Sequence, residues 1–388
     1  MIALYNLIRY VISAVGRLAI RLVYRLVCAF VKLQPGSVLL VCTRDNVLGD
    51  NLLQIRDHLE AQSFHCREVF FDTSRPLWRH PLAGVRFLTQ MAQTEYTLLD
   101  DYFPLVYPIR LRPGARLVQV WHALGAFKRV GYSRAGKEGG PTSRTISHRN
   151  YTDVIVSADS IRQDYAEAFG VTLDKVHATG IPRTDLFFDD SAQQRTREQV
   201  LQTLPGLRDK RVILFAPTFR GNGKRTAHYP PDFLDLPRLG DALSDNDVFA
   251  IKMHPFVTQR LTIPADYADR IVDVSSYPEF NHLLLVSDLL ITDYSSAIFD
   301  YAFLHRPIVF YVPDIDDYDE SRGFYYPFDD YAYGPVATSF DALLALLNTT
   351  SVDQVRHQAF ETMFLNRCDG AATQRFIDTV MTSHLPSG

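Results

Sequence analysis

Leu289-Leu290-Ile291-Thr292-Asp293-Tyr294-Ser295-Ser296-Ala297-Ile298-Phe299-Asp300 holds an apolar run that ends in Thr-Asp, followed by two serines that open a helix. An apolar strand running through a polar turn into a helix is the repeating unit of an α/β sheet. The same alternation extends in both directions. Before it come apolar runs at Arg211–Ala216, Val248–Met253 and Arg270–Val274; after it comes Pro307–Tyr311, and the last fifty residues read as helical. A polar stretch, Asp189–Lys210, carries no strand pattern. Upstream of that, runs at Ser37–Thr43, Glu68–Phe71, Tyr96–Leu99, Arg116–Trp121, Asp153–Ser157 and Lys175–Thr179 form a first series, with an amphipathic helix over Leu48–Gln62. The pattern predicts two consecutive α/β domains with largely parallel sheets, residues 35–190 and 191–388, and a cleft between them. In such sheets small anionic ligands sit at the carboxyl ends of strands.

Composition sets outer limits. The chain has 388 residues, 47% hydrophobic and 22% charged, which describes a folded globular protein. A net charge of −4 gives no reason to expect nucleic acid. Cys28, Cys42, Cys66 and Cys368 are far apart and form no C-x-x-C pair, so a disulfide scaffold or structural zinc is not expected and a reducing compartment is. The first 44 residues contain no Asp or Glu but carry Arg9, Arg17, Arg21, Arg25, Lys32 and Arg44. Arg17, Arg21, Arg25 and Lys32 share a narrow helical face, and the intervening residues are apolar. Residues 1–34 therefore read as a helix lying on an anionic membrane surface, ended by Gln34-Pro35-Gly36. An uncleaved signal peptide or a helix packed on the protein's own core are the competing readings.

Polar clusters follow the strands. His122, after Val120-Trp121 and before Gly125 and Lys128, has the type and place of a general base beside a phosphate-binding cation. Thr179-Gly180-Ile181-Pro182-Arg183 is a turn that presents an arginine. Ala216-Pro217-Thr218-Phe219-Arg220 presents another, suited to bidentate phosphate contacts. Lys252-Met253-His254-Pro255 puts a second histidine at a strand end. In the opening stretch, Ser295 and Ser296 and the helix N-terminus suit a phosphate, and Asp293 suits donor hydroxyls. Each cluster also has a plain structural reading: a hydrogen-bonded histidine, a surface arginine, or simple N-capping. Asp314, Asp316 and Asp317 invite a magnesium proposal, but an acidic loop is the plainer reading. Zinc-protease, Walker and nucleophile-elbow patterns are absent.

The pieces QVWHALGAFKRVGYSR, HATGIPRTDLFF, ILFAPTFRGN, IKMHP and LLITDYSSAIFDYAFLHRPIVFYVPD, in this order between Val118 and Gly323, resemble the CDP-glycerol glycerophosphotransferase family of teichoic-acid and capsule synthesis. The resemblance implies a GT-B-like pair of Rossmann-like domains, an N-terminal acceptor domain and a C-terminal CDP-donor domain. It implies transfer of glycerol phosphate, or a related polyol phosphate, from a CDP-alcohol to a hydroxyl of a lipid-linked envelope polymer or primer, with release of CMP. No metal and no cofactor besides the donor are implied. The implied place is the cytoplasmic face of a bacterial membrane, as a peripheral protein. By motif, His122 would be the base and His254 would act at the phosphates. Arg220, Thr292, Asp293, Ser295 and Ser296 would bind the donor, and Lys128 and Arg183 are phosphate or acceptor candidates. Ala123 departs from the Gly that follows Trp-His in many members, and the loop to Lys128 is one residue longer, which bears on the acceptor more than on the chemistry. A nucleotide-sugar glycosyltransferase on the same fold is the alternative. A non-catalytic assembly protein fits less well with two strand-end histidines beside arginine and serine clusters.

Overall fold

The computed structural model describes residues 2–43, 47–62, 64–71, 81–137, 140–142, 145–221, 225–316, 318 and 323–381. Arg44 and Asp317 lie outside these residues, as does the Arg9 side chain. The chain divides into two compact units, Met1–Asp185 with Asn366–Gly388, and Leu186–Leu365.

The first unit opens with helix α1 (Ile2–Phe30) and continues through β1 (Gln34–Cys42), α2 (Asp50–Ala61), β2 (His65–Phe70), α3 (Pro81–Gln93), β3 (Thr94–Leu99), β4 (Arg116–Gln119), β5 (Asp153–Ile155), α4 (Arg162–Phe169) and β6 (Val176–His177). Its six strands are all parallel in the order β2-β1-β3-β4-β5-β6. Val38, Leu39, Leu40 and Val41 of β1 are fully buried, as a strand covered on both faces requires.

Helix α1 is not a separate element. Tyr24 is buried, Arg21 Nε donates to the Pro108 carbonyl at 2.5 Å, and Arg112 donates to the Val31 carbonyl at 3.0 Å. One side of the helix thus packs on the first unit, while Val15, Leu18, Leu22, Leu26 and Phe30 are each more than half exposed.

The second unit contains α5 (Asp190–Thr203), β7 (Arg211–Phe215), α6 (Leu236–Ala242), β8 (Asp247–Ile251), β9 (Ile271–Asp273), α7 (Phe280–Val286), β10 (Leu289–Thr292), α8 (Ala297–Ala302), β11 (Ile308–Tyr311), β12 (Val336–Ala337), α9 (Phe340–Leu346) and α10 (Gln354–Phe364). The strand order is β12-β11-β10-β7-β8-β9, again all parallel. Read from the other edge, this is the 3-2-1-4-5-6 order of dinucleotide-binding folds, with its switch point between β7 and β10. Ile213, Phe215, Phe249, Ile291 and Val309 fill the core on one face.

The C-terminal helices expected in the second domain are split. The chain returns to the first unit at Asn366 and adds α11 (Ala372–Phe376) there. The Asp185 carboxylate accepts from the backbone N–H of Ala372 and Thr373 at 2.9 and 2.8 Å and from the Thr373 hydroxyl at 2.6 Å. Tyr96 Oη donates to the Met381 carbonyl at 3.0 Å.

Candidate functional site

In the first unit the chain leaves β4 through a strained residue. Trp121 is buried and has φ 54°, a left-handed conformation costly for a bulky side chain. Both of its backbone groups are tied down. Gln119 Oε1 accepts from the Trp121 N–H at 2.9 Å, and Asn51 Nδ2 donates to the Trp121 carbonyl at 2.9 Å. The strain sets the direction of the next residue, His122. Its Nδ1 lies 3.0 Å from the Asp100 carbonyl, and a carbonyl only accepts. The Nδ1 proton is thereby fixed, and the neutral ring carries its lone pair on Nε2, the arrangement of a general base. Asp101 Oδ1 stands 3.8 Å from the same Nδ1.

Arg183 braces this residue. Its Nη1 donates to the His122 carbonyl at 2.9 Å, and its backbone N–H donates to Asn51 Oδ1 at 3.1 Å. Asn51 therefore links Trp121 to Arg183. The loop beyond is pinned where Ser157 Oγ accepts from the Gly125 N–H at 3.1 Å and Tyr165 Oη donates to the Gly125 carbonyl at 2.7 Å. Lys128, further along, is half-buried. Behind Trp121, His148 is buried among aromatic rings, and burial pushes its imidazole down to about 4, so it stays neutral.

In the second unit the motif residues gather at the β7/β10 switch point, outside the carboxyl ends of the strands, where such sheets bind ligands. Thr292 is fully buried, and its hydroxyl donates to the Ala216 carbonyl at 2.6 Å, joining the two strand ends. Asp293 is also buried. It accepts from the N–H of Thr218 at 2.7 Å, the N–H of Tyr294 at 2.6 Å, and Arg220 Nη1 at 2.8 Å. These contacts tie the carboxylate to the turn and to Arg220. The reason is the turn itself, whose inward N–H groups need an acceptor once buried.

Arg220 is similarly engaged. Its Nε and Nη2 donate to the Asp314 carboxylate at 2.6 and 2.8 Å, and its plane lies 5.1 Å from the Tyr294 ring and 5.2 Å from the Tyr318 ring. Burial works against the charge, yet Asp314 and Asp293 hold the guanidinium pKa above its ordinary value. Tyr294 Oη donates to Asp314 as well, at 3.0 Å. Asp314, read in sequence as part of an acidic loop, is thus the residue that positions Arg220. No local signal marks it, since its partner is 94 residues away.

Ser295 and Ser296 are half-buried beside this network, and Ser295 Oγ accepts from the Ala297 N–H at 3.2 Å. The helix they open is only six residues long. A phosphate there relies on hydroxyls and turn N–H groups more than on a macrodipole. His254, half-buried, follows β8, with its ring against Phe219 and Phe256 at 4.7 Å each. The Phe256 N–H donates to its Nδ1 at 3.1 Å, so the neutral ring carries its proton on Nε2. The two histidines are therefore fixed in opposite tautomers: His122 is arranged to accept at Nε2 and His254 to donate. Lys252 is buried with Nζ 3.0 Å from the Ser275 carbonyl, and burial lowers its ammonium pKa to about 8.

Comparison with known proteins identifies the family. The family described as CDP-Glycerol:Poly(glycerophosphate) glycerophosphotransferase matches residues 22–382. A teichoic acid poly(ribitol-phosphate) polymerase of Bacillus spizizenii is 46% identical over 75% of this chain and 47% of its own. The ribitol-phosphate polymerase TarK of Staphylococcus aureus is 40% identical over 86% of this chain and 66% of its own. A teichoic acid ribitol-phosphate primase of B. spizizenii is 33% identical over 94% of this chain and 95% of its own. The chain spans about half to two-thirds of the length of the polymerases it matches. Among solved structures, the wall teichoic acid polymerase TagF superposes with a TM-score of 0.72 at 22% identity, covering 89% of this chain and 88% of that one. With both strand orders and the motif geometry, these similarities place the chain in the CDP-glycerol:poly(glycerophosphate) glycerophosphotransferase family.

Proposed function

We infer that this chain transfers a polyol phosphate, ribitol phosphate in the first instance, from its CDP-activated form to a hydroxyl of a teichoic acid polymer or primer. The opposite tautomers of His122 and His254 carry this reading: one ring is set to take a proton, the other to give a hydrogen bond. His122 Nε2 removes the acceptor hydroxyl proton as that oxygen bonds to the β-phosphorus of the donor. The bond from that phosphorus to the bridging oxygen breaks, and CMP leaves with the electron pair. His254 Nε2–H, the hydroxyls of Ser295 and Ser296, and Lys128 on the acceptor side oppose the charge on the phosphates. Phosphoryl transfer rests on this kind of positioning and electrostatics. Arg220, Asp293 and Thr292 contribute by holding the turn that presents the serines, and Arg183 by holding His122.

The choice of ribitol follows the relatives. Those named for ribitol phosphate polymerisation are 40–46% identical to this chain, whereas those named for glycerol phosphate are 28–32% identical. A TagF structure obtained with CDPG supports a CDP-alcohol as donor class. The exposed apolar stripe on α1, with Arg17, Arg21, Arg25 and Lys32 beside it, supports a place on an anionic membrane surface, where a lipid-linked acceptor is met. No helix among the described residues is long and apolar enough to cross a membrane. Incubation with CDP-ribitol, CDP-glycerol and UDP-sugars, with nucleotide release followed, tests the proposal. Acceptor-dependent CMP release, fastest from CDP-ribitol, is expected; UDP release without CMP release would return the glycosyltransferase reading.

A further inference from the structure

We propose that His305, His357 and Glu361 form a divalent transition-metal site, zinc by its chemistry, that clamps the helix following the Thr292-Asp293 turn to the C-terminal helix of the second unit. The three side chains come from two places. His305 lies just beyond α8, and His357 and Glu361 are one turn apart on α10, so their side chains share a face. Their nearest ligand atoms lie within 4.8 Å of one another, and among the described residues this is the one such group of three His, Cys, Asp or Glu side chains.

Two distances point to a cation rather than to hydrogen bonds. His357 Nδ1 is 3.4 Å from Glu361 Oε2, and His305 Nε2 is 3.5 Å from Glu361 Oε1. Both exceed the N–H···O range of about 2.7–3.2 Å. The two nitrogens meet different oxygens of the Glu361 carboxylate, so an ion would take it through both oxygens, and zinc bonds of about 2.0–2.2 Å put nitrogen and oxygen ligands about 3.3–3.6 Å apart at the tetrahedral angle. Protonation is also arranged. His357 is buried, and its Nε2 donates to the Ala302 carbonyl at 2.9 Å. The neutral ring then turns a lone pair on Nδ1 toward the carboxylate, and a carbonyl on the far nitrogen is the usual way a metal-binding histidine is oriented.

His305 is held in place by the same carbonyl. Its backbone N–H bonds to Ala302 O at 3.1 Å, and its φ of 48° is the left-handed value usual for Gly or Asn after a helix. Its side chain is 56% exposed, so the group opens to solvent, giving an ion an entry path and a fourth position for water. The ligands are 52 and 56 residues apart along the chain from His305, which is why no sequence motif announces them. His305, His357 and Glu361 are not among the residues assigned to the transfer. The effect of the site is on the firmness of α8, the helix that Ser295 and Ser296 open.

The test uses the untagged full-length chain stripped with a chelator and titrated with zinc against a chromophoric chelator. One tightly bound equivalent per chain is expected, with a rise in thermal midpoint of about 5–10 °C at a hundredfold excess over Kd. X-ray absorption should report nitrogen and oxygen neighbours only. His305→Asn, which tolerates the left-handed backbone, and Glu361→Gln should each weaken binding at least about tenfold. Their metal-free melting should stay near that of the parent. Absence of stoichiometric binding, sulfur neighbours at the bound zinc, or parental affinity in both variants would overturn the site.

Discussion

His122 and His254 carry the most specific claims at the scale of single residues. His122→Ala should bind a CDP-polyol almost as the parent does, yet lose about 10²–10⁴ in turnover, the usual contribution of a general base. His254→Ala should weaken donor binding as well as turnover, because its Nε2–H is assigned to the phosphates. Calorimetry with the donor and single-turnover kinetics separate the two, and near-parental turnover in a folded His122→Ala protein would remove the base. Arg220 belongs to a different class. Removing it leaves Asp293 and Asp314 without their counter-ion, and a broken buried pair costs about 3–5 kcal/mol. Arg220→Ala should therefore lower the denaturant midpoint sharply. A stable variant whose only defect is donor affinity would restore the arginine to the phosphates. Both histidines were legible in sequence because each directly follows an apolar run. Asp314 was not, because an acidic run reads as a solvated loop until β11 brings its end beside β10. The tautomers, too, depend on the Asp100 carbonyl and the Phe256 N–H, backbone groups whose positions no residue type records.

At the scale of elements, α1 has one side packed on the first unit and an apolar stripe left exposed. The Tyr24 side packs on the first unit, and the stripe Val15, Leu18, Leu22, Leu26 and Phe30 faces outward. Deleting residues 1–34 would thus expose protein core as well as remove the outward stripe, so substitution is the cleaner experiment. A chain with Leu18→Ser, Leu22→Ser and Leu26→Ser changes only exposed positions. It should melt close to the parent but sediment far less with vesicles containing anionic lipid. Undiminished sedimentation would refute the membrane role of this face. Strands of the core were easy to read, because buried parallel strands are continuous apolar runs. One was missed: β12, Val336–Ala337, is two residues with no apolar run around it, whereas the equally short β6 sits inside the run Lys175–Thr179.

For the whole molecule, local pattern located two parallel sheets but placed the end of the chain in the wrong unit. The return at Asn366 depends on Asp185 receiving the N–H groups of Ala372 and Thr373, a contact across 187 and 188 residues. Asp185→Ala should cost about 1.5–3 kcal/mol for the charge-assisted bonds it loses. Hydrogen exchange should quicken in the first unit, around α11, and not in β7–β12; the reverse pattern would contradict the division. His122 follows β4 of the first unit, and His254 and the Ser295-Ser296 turn follow β8 and β10 of the second. The most direct test of the account is the mass of the product. A defined teichoic acid primer incubated with the chain and CDP-ribitol should grow by whole ribitol phosphate units, with one CMP released for each unit added. Growth by sugar residues from a UDP donor, or CMP release with no change in primer mass, would contradict it.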